Sequence, residues 1–353
     1  MQCKTDRQAA MRIATLLSLF AGTLAAQLKM CSFNELCVPI QNCSLYKPYA
    51  SGTNYRDWPK ELQKKATSNL CNNEKINNTP VLSVCCPTPL NSKQCGLQSS
   101  NKISKGKIAQ VYEYPWMVLL EDSKNDFVCG GTLISQRYVL TAAHCLKSAK
   151  IISVRVGELD LTSPIDCLII EEEMECAPPP QDIKVVNITR HPLHSERGKK
   201  NDIALLRLER PVEFSNSVKP ICLPNGTPED RMINPAFFIV SGWGLTENGT
   251  SFDVLRYARV PPVSLDTCAT SVRQLSVALR LDQSQICAGG VDAVDNCAGD
   301  SGGPLQYVSN RTTRFYQLGV VSYGLRSCGI QSQPGVYTNV LYYLNWIMEN
   351  VDE

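Results

Sequence analysis

The chain has 353 residues, 43% of them apolar, enough for one large domain and one small one with buried cores. A formal net charge of +2 gives no basic surface that calls for nucleic acid and no acidic excess. Seventeen cysteines, none in the CxxC…CxxC or CxxC…HxxxH spacing of a structural zinc site, point to disulfides in an oxidising compartment.

In chain order, Met11 and Arg12 precede the apolar run IATLLSLFAGTLAA, which ends in the small residues Ala25 and Ala26. Residues 1–26 read as a secretory signal cleaved near Ala26, with Met11 as a second candidate start that would dispose of Cys3. The run is short for crossing about 30 Å of hydrocarbon, and no later segment is long and apolar enough, which argues against a membrane anchor. Residues 31–86 carry six cysteines and few apolar residues, so this module needs cross-links to fold. Residues 87–102, rich in Pro, Asn, Ser and Lys without hydrophobic period, read as an exposed linker open to proteolysis.

From Ile103 the pattern changes to short apolar runs between turn signals: WMVLLE, GGTLIS, RYVLTAA, ISVRVGEL, IALLRL, FFIVSGWG, QLGVVSYG and GVYTNV. Such runs predict an all-β barrel or sandwich, closed by a C-terminal helix over LYYLNWIMENV. Asn-x-Ser/Thr sequons at Asn77, Asn187, Asn225, Asn248 and Asn310 are candidate glycan sites, as is Asn42, whose middle residue is Cys43.

Only three histidines exist. His144 ends an apolar run in TAAHC, where Cys145 is placed to tie its loop back to Cys129, whereas His191 and His194 fall in the polar stretch RHPLHSERGKK and are expected at the surface. Ser301 lies in GDSGGP, where glycines let successive N–H groups of Gly299 and Ser301 aim into one concavity that binds an oxyanion. Asp202 opens the apolar run of NDIALL, a place for a buried carboxylate facing an imidazole. A serine hydroxyl is a poor nucleophile at neutral pH and needs both a base near pKa 7 and a carboxylate to orient that base.

Taken together, TAAHC, NDIALL, SGWG, GDSGGP, SYG and PGVYTNV strongly resemble the chymotrypsin-like serine proteases over residues 103 to about 350. The resemblance implies two six-stranded antiparallel β-barrels, with His144 as general base and acid, Asp202 as its orienter and Ser301 as nucleophile of an acyl-enzyme route that requires no cofactor. It places Asp295 at the bottom of the primary specificity pocket, with Ser322, Gly324 and Gly335 lining it, and so implies cleavage after Arg or Lys. KISKGKIAQVYEYPWM resembles a zymogen junction cut between Lys102 and Ile103, whose new ammonium pairs with Asp300. Ser104 and Lys105 depart from the usual Ile-Val-Gly-Gly.

The module at 31–86 resembles a clip domain, through six cysteines ending in the adjacent pair Cys85 and Cys86. The two resemblances imply the pairs Cys31–Cys85, Cys37–Cys71, Cys43–Cys86, Cys95–Cys222, Cys129–Cys145, Cys167–Cys176, Cys268–Cys287 and Cys297–Cys328. The acidic loop GELDLTSPIDCLIIEEEMECAPPPQD has two readings: a structural Ca²⁺ site with Glu158, Asp160 and Asp166 and carbonyls near Thr162 and Ser163, as in related enzymes, or a solvated acidic loop. The expected protein is secreted into haemolymph and acts in an extracellular cascade of innate immunity or patterning. Expected partners are an upstream activating protease, a substrate such as a downstream zymogen, prophenoloxidase or a cytokine precursor, and serpins. The alternatives are a non-catalytic clip-domain adaptor and a broad digestive protease.

Overall fold

The computed structural model describes residues 28–32, 34–50, 55–72, 75–76, 79–99, 108–170, 173–227, 230, 233–244, 252–273, 279–290, 300–323 and 334–352. The chain divides into two compact units: Met1–Leu90 with Pro224–Ile233 and Leu344–Glu353, and Asn91–Leu223 with Asn234–Tyr343. Among the described residues no helix is long and apolar enough to cross a membrane.

In the first unit β1 (Glu35–Pro39), β2 (Leu70–Asn72) and β3 (Ser83–Pro87) form an antiparallel sheet in the order β1-β3-β2. Successive residues of a strand face opposite sides, so adjacent Cys85 and Cys86 fasten both faces of β3. Cys85 bonds Cys31, Cys86 bonds Cys43, and Cys37 bonds Cys71. Three short strands hold too little apolar surface to stand without such staples. A second small core forms where Tyr46 stacks on Trp58, with ring centroids 6.1 Å apart, beside Tyr49 and Tyr55. The helix Leu344–Asn350 buries Leu344 and Ile347, one helical turn apart. Cys37 N donates to Asn225 O at 2.6 Å, and the neighbouring Gly226 (φ +77°) leaves room for the Cys37 carbonyl, which an added Cβ would meet at 2.4 Å.

The second unit opens with β4 (Met117–Asp122), β5 (Phe127–Leu133), β6 (Tyr138–Thr141) and β7 (Ile151–Val156). A hairpin follows, β8 (Cys167–Ile170) and β9 (Glu173–Cys176), stapled by Cys167–Cys176, and then β10 (Gln181–Arg190) and β11 (Ala204–Leu208). Strands β10-β11-β6-β5-β4-β7 close into a barrel, one face of which is lined by the buried Leu120, Leu133, Val154 and Leu206.

The later strands are β12 (Phe238–Gly242), β13 (Arg256–Val260), β14 (Pro262–Val263), β15 (Gln285–Ala288), β16 (Pro304–Val308), β17 (Phe315–Tyr323) and β18 (Gly335–Asn339). They form a sheet ordered β13-β12-β16-β17-β18-β15-β14. Where a second closed six-stranded barrel is expected, the described residues form a seven-stranded sheet. Its two edge strands are one stretch, 256–263, interrupted at Pro261, which has no N–H to continue a ladder. The stretch thereby lies along both edges of a sheet that rolls back on itself.

A buried chain of polar groups joins the two sheets. Fully buried Trp116 donates through Nε1 to Gln306 Oε1 at 2.8 Å, and Gln306 Nε2 donates to Ser241 Oγ at 3.0 Å. The residues after Pro87 are more ordered than an exposed linker. Leu90, Asn91 and Cys95 are buried, Cys95 is bonded to Cys222, and the Asn91 amide both donates to Leu223 O (2.9 Å) and accepts from Leu223 N (2.7 Å). A side chain here imitates a strand partner, a pairing that polar composition does not reveal.

Candidate active site

His144 sits where β6 ends and the short helix Cys145–Ser148 begins, and Cys129–Cys145 ties that corner to β5. Asp202 precedes β11, whose backbone pairs with β6, so the register of two neighbouring strands brings the residues together. His144 Nδ1 donates to Asp202 Oδ2 at 2.8 Å and His144 N donates to Oδ1 at 2.9 Å. Ser322 Oγ, from β17, donates to Oδ2 at 2.5 Å, and Thr338 Oγ1, from β18, donates to the Asp202 carbonyl at 2.7 Å.

Asp202 is only 3% exposed. Burial raises the pKa of its carboxyl, but the hydrogen bond and charge of His144, the Ser322 hydroxyl and the His144 N–H outweigh burial, and the group titrates below the ordinary aspartate range. An Asp whose folded pKa is depressed stabilises the fold above its unfolded pKa near 3.9, and that stability is lost as pH falls through the folded pKa. The carboxylate is thus anionic throughout the neutral range and able to hold the imidazole with Nδ1 protonated and Nε2 free to accept.

The loop of Ser301 is fixed by close backbone approach. Ser301 O accepts from Gly130 N at 2.8 Å, Gly302 N donates to Val321 O at 2.9 Å, and Gly303 N donates to Asp300 O at 2.9 Å. Cys145 Sγ lies 3.6 Å from Ser301 O and 3.8 Å from His144 Nε2, so one disulfide sulfur touches both corners of the site. Asp300 explains the SGWG motif. Its Oδ1 accepts from Gly244 N at 2.9 Å, and a Cβ at Gly242 or Gly244 would stand 2.0 or 2.6 Å from Asp300 oxygens.

Lys102, Ile103, Asp295, Cys297, Gly299, Gly324, Cys328, Asn77 and Asn248 lie outside the described residues, as does the signal region. Gly335 begins β18, paired with Ala288. Asn187 and Asn310 are exposed and Asn225 is half-buried. Cys268–Cys287 ties the helix Leu265–Arg273 to β15.

In the acidic loop, Glu158 and Asp166 are buried and Asp160 is half-buried. Asp166 accepts Leu159 N (2.9 Å) on Oδ2 and Asp160 N (3.2 Å) on Oδ1. Glu158 accepts Leu159 N at 3.0 Å and Arg155 Nη1 at 3.3 Å, while Asp160 Oδ1 turns to Thr162 N and Oγ1. Burial raises the pKa of both Glu158 and Asp166, and the Asp166 charge raises that of Glu158 further. Among the described residues the three carboxylates do not converge as a ready cluster. Glu158 and Asp166 form a stressed pair of oxygen donors, and Asp160 is turned away from it.

Two histidines expected at the surface differ in environment. His191 is half-buried beside the Tyr343 ring, with centroids 5.3 Å apart. His194 has a side chain only 15% exposed and stands against Asp202. The polar stretch folds back on itself through Ser195 and Lys200, which exchange backbone hydrogen bonds of 3.0 and 3.1 Å, and this return carries His194 inward.

The family model described as Trypsin matches residues 103–347. The chain is similar to Phenoloxidase-activating factor 3 of Holotrichia diomphalia, 38% identical over 89% of this chain and 90% of that protein. It is also similar to the Spaetzle-processing enzyme of Drosophila melanogaster, 38% identical over 73% of this chain and 68% of that one. Among solved structures, the Drosophila Grass clip serine protease of the Toll pathway matches with a TM-score of 0.66 and 34% identity, over 89% of this chain and 93% of that one.

Proposed function

This chain belongs to the trypsin family of serine proteases, among its clip-domain members, and on that premise we propose that it is a secreted zymogen whose cut form hydrolyses peptide bonds after Arg or Lys. The observation that carries the reading is the Asp202 carboxylate. It is buried and anionic and accepts both the Nδ1–H and the backbone N–H of His144, and the sulfur of the next residue, Cys145, lies against the Ser301 carbonyl.

With Nδ1 engaged, His144 Nε2 takes the proton of Ser301 as its Oγ attacks the scissile carbonyl. The oxyanion is bound by the N–H groups of Gly299 and Ser301, and His144 returns the proton to the leaving amine. Water then attacks the acyl-enzyme by the same proton path in reverse. Asp295 would pair the cationic side chain before the cut bond, with Ser322, Gly324 and Gly335 bounding that pocket. Cleavage between Lys102 and Ile103 frees an ammonium whose partner is Asp300, and the glycines at 242 and 244 give that carboxylate its room.

The relatives are named for activating phenoloxidase and for processing Spaetzle. For this chain the corresponding partners are a downstream zymogen, prophenoloxidase or a cytokine precursor in haemolymph, with an upstream protease as activator and serpins as inhibitors. The test is hydrolysis of arginyl and lysyl chromogenic peptides before and after cleavage at Lys102. Activity confined to the cut form supports the reading. None in a chain with Ile103 verified as its new terminus would favour a binding role in the cascade.

We also propose that a structural Ca²⁺ is held at the acidic loop by Glu158 and Asp166, with carbonyls near Thr162 and Ser163, and takes no part in the chemistry. Carboxyls whose folded pKa is raised weaken the fold at neutral pH, and a divalent cation beside them reverses that cost. Calcium at a hundred times its dissociation constant is expected to stabilise the chain by about 2.7 kcal/mol, and EDTA to reverse the rise in Tm. An unchanged Tm in both directions would leave a solvated acidic loop.

A further inference from the structure

The catalytic pair and the nucleophile stand on different sheets. His144 and Asp202 belong to the barrel, at the end of β6 and just before β11, whereas Ser301 precedes β16 of the later sheet. Their alignment therefore depends on what holds the segment from Lys199 to Asp202 against that later sheet. Two ties touch Asp202 itself: Ser322 Oγ of β17 on the carboxylate and Thr338 Oγ1 of β18 on the carbonyl.

A third grip lies outside the triad. Gln285 on β15 is the register partner of Thr338, so the two side chains stand next to each other on one face of the sheet. Thr338 takes the carbonyl of Asp202, and Gln285 takes the residues three and two places before it. Gln285 Nε2 donates to Lys199 O at 3.0 Å, and its Oε1 accepts from Lys200 Nζ at 2.8 Å. The same Nε2 lies 3.4 Å from the hydroxyl of Tyr323, the neighbour of Ser322. Gln285 is only 5% exposed, and bonds to a buried amide are stronger than bonds in water. The other partner of Lys200, Asp282 at 2.7 Å, is 60% exposed and adds little.

The backbone held in this way is strained. Lys199 has φ +48° and Asn201 φ +54°, and the left-handed region is uncommon for a lysine. Such conformations persist where the surroundings over-determine them. Besides Gln285, the surroundings are the backbone exchange between Ser195 and Lys200 and the Asn201 side chain, which donates to Leu193 O and accepts from the Tyr343 hydroxyl, both at 2.7 Å. We infer that Gln285 is a positioning residue for the catalytic pair: by fixing Lys199 O and Lys200 Nζ to the later sheet, it sets where Asp202 presents the His144 ring to the loop of Ser301. The inference rests on the protease reading. Gln285 touches none of the reacting atoms and acts on the rate through Asp202.

In the full chain cut at Lys102 and assayed with an arginyl chromogenic peptide, Gln285→Leu is expected to lower kcat by about tenfold with KM within about twofold, because a small misplacement falls on the reacting geometry. Lys200→Met removes one of the two bonds and should cost less, and added to Gln285→Leu it should cost nothing further. Asp282→Asn should stay within about twofold of the parent. A merely structural role would lower Tm and leave kcat per active site unchanged. The second readout needs no activity: the His144 Nδ1–H proton resonance of the full-length chain carrying Ser301→Ala should shift or broaden in Gln285→Leu and in Lys200→Met and stay in place in Asp282→Asn. If Gln285→Leu does not fold, Lys200→Met carries both readouts. A resonance that moves in neither variant overturns the inference, as does a loss in Asp282→Asn equal to that in Gln285→Leu, which would put the hold in the exposed ion pair. A cut parent chain that hydrolyses nothing overturns the protease reading, while the resonance still decides the role of Gln285.

Discussion

Ser301→Ala in the activated chain is expected to lower kcat by about six orders of magnitude, Asp202→Asn by about four, and the double variant by no more than Ser301→Ala alone. The argument is geometric. Asp202 Oδ2 accepts the His144 Nδ1–H, so Nε2 is the nitrogen that takes the serine proton. An asparagine cannot accept on both atoms, and with its NH₂ toward Nδ1 the ring must hold its proton on Nε2, where it no longer serves as a base. Ser322 and the His144 N–H would still hold the side chain in place, so the fold should survive and the loss should fall on kcat rather than KM. Once the serine is gone, the imidazole has no proton to take and the second change costs nothing further. The check is burst-phase and steady-state kinetics on all three variants. Losses that add, with Asp202→Asn still costing four orders in the Ser301→Ala background, would mean that the residues do not act as a unit.

Much of this site was legible in the sequence because its residues sit beside elements with strong local signatures. TAAHC follows an apolar strand, NDIALL opens one, and β6 and β11, to which they belong, are neighbours in the barrel. The C-terminal helix was equally legible, since Leu344 and Ile347 recur at helical spacing and both are buried. What escaped was set by contacts between distant segments. RHPLHSERGKK is polar throughout, and its composition says surface; the backbone exchange between Ser195 and Lys200 is what turns His194 toward Asp202. The exposed linker failed for a similar reason, because the partner of Asn91 is Leu223, 132 residues away. Pro261 breaks a strand because it lacks an N–H, and nothing in the sequence marks it as the point where one stretch passes from one edge of a sheet to the other. In the acidic loop the carboxylates could be counted, whereas the turn of Asp160 toward Thr162 depends on backbone geometry that a count does not contain.

Gly302→Ala is expected to be among the most damaging single methyls at the described glycines, destabilising the second unit by several kcal/mol and removing activity with it. Gly302 has φ +82°, a conformation that by itself costs a residue with a side chain about 1 kcal/mol or more. A Cβ there would lie 2.2 Å from Thr141 Oγ1 and 2.4 Å from Gly130 O. The threonine oxygen has no freedom to retreat, because it donates to that same Gly130 carbonyl at 2.8 Å. The carbonyl belongs to β5, whose neighbour β4 and the Ser301 carbonyl hold it in register. Relief must therefore come from moving the GDSGGP loop itself, which shifts the nucleophile. Gly130→Ala is the matched control. Its Cβ would meet nothing closer than Gly303 N at 3.5 Å, an ordinary contact, so urea unfolding should place it within about 1 kcal/mol of the parent. A Thr141→Ala background should recover only part of the loss, since the main-chain oxygen of Gly130 remains. Full recovery there would assign the clash to the hydroxyl alone, and equal stability of the two glycine variants would remove the argument that backbone contact fixes the nucleophile's loop.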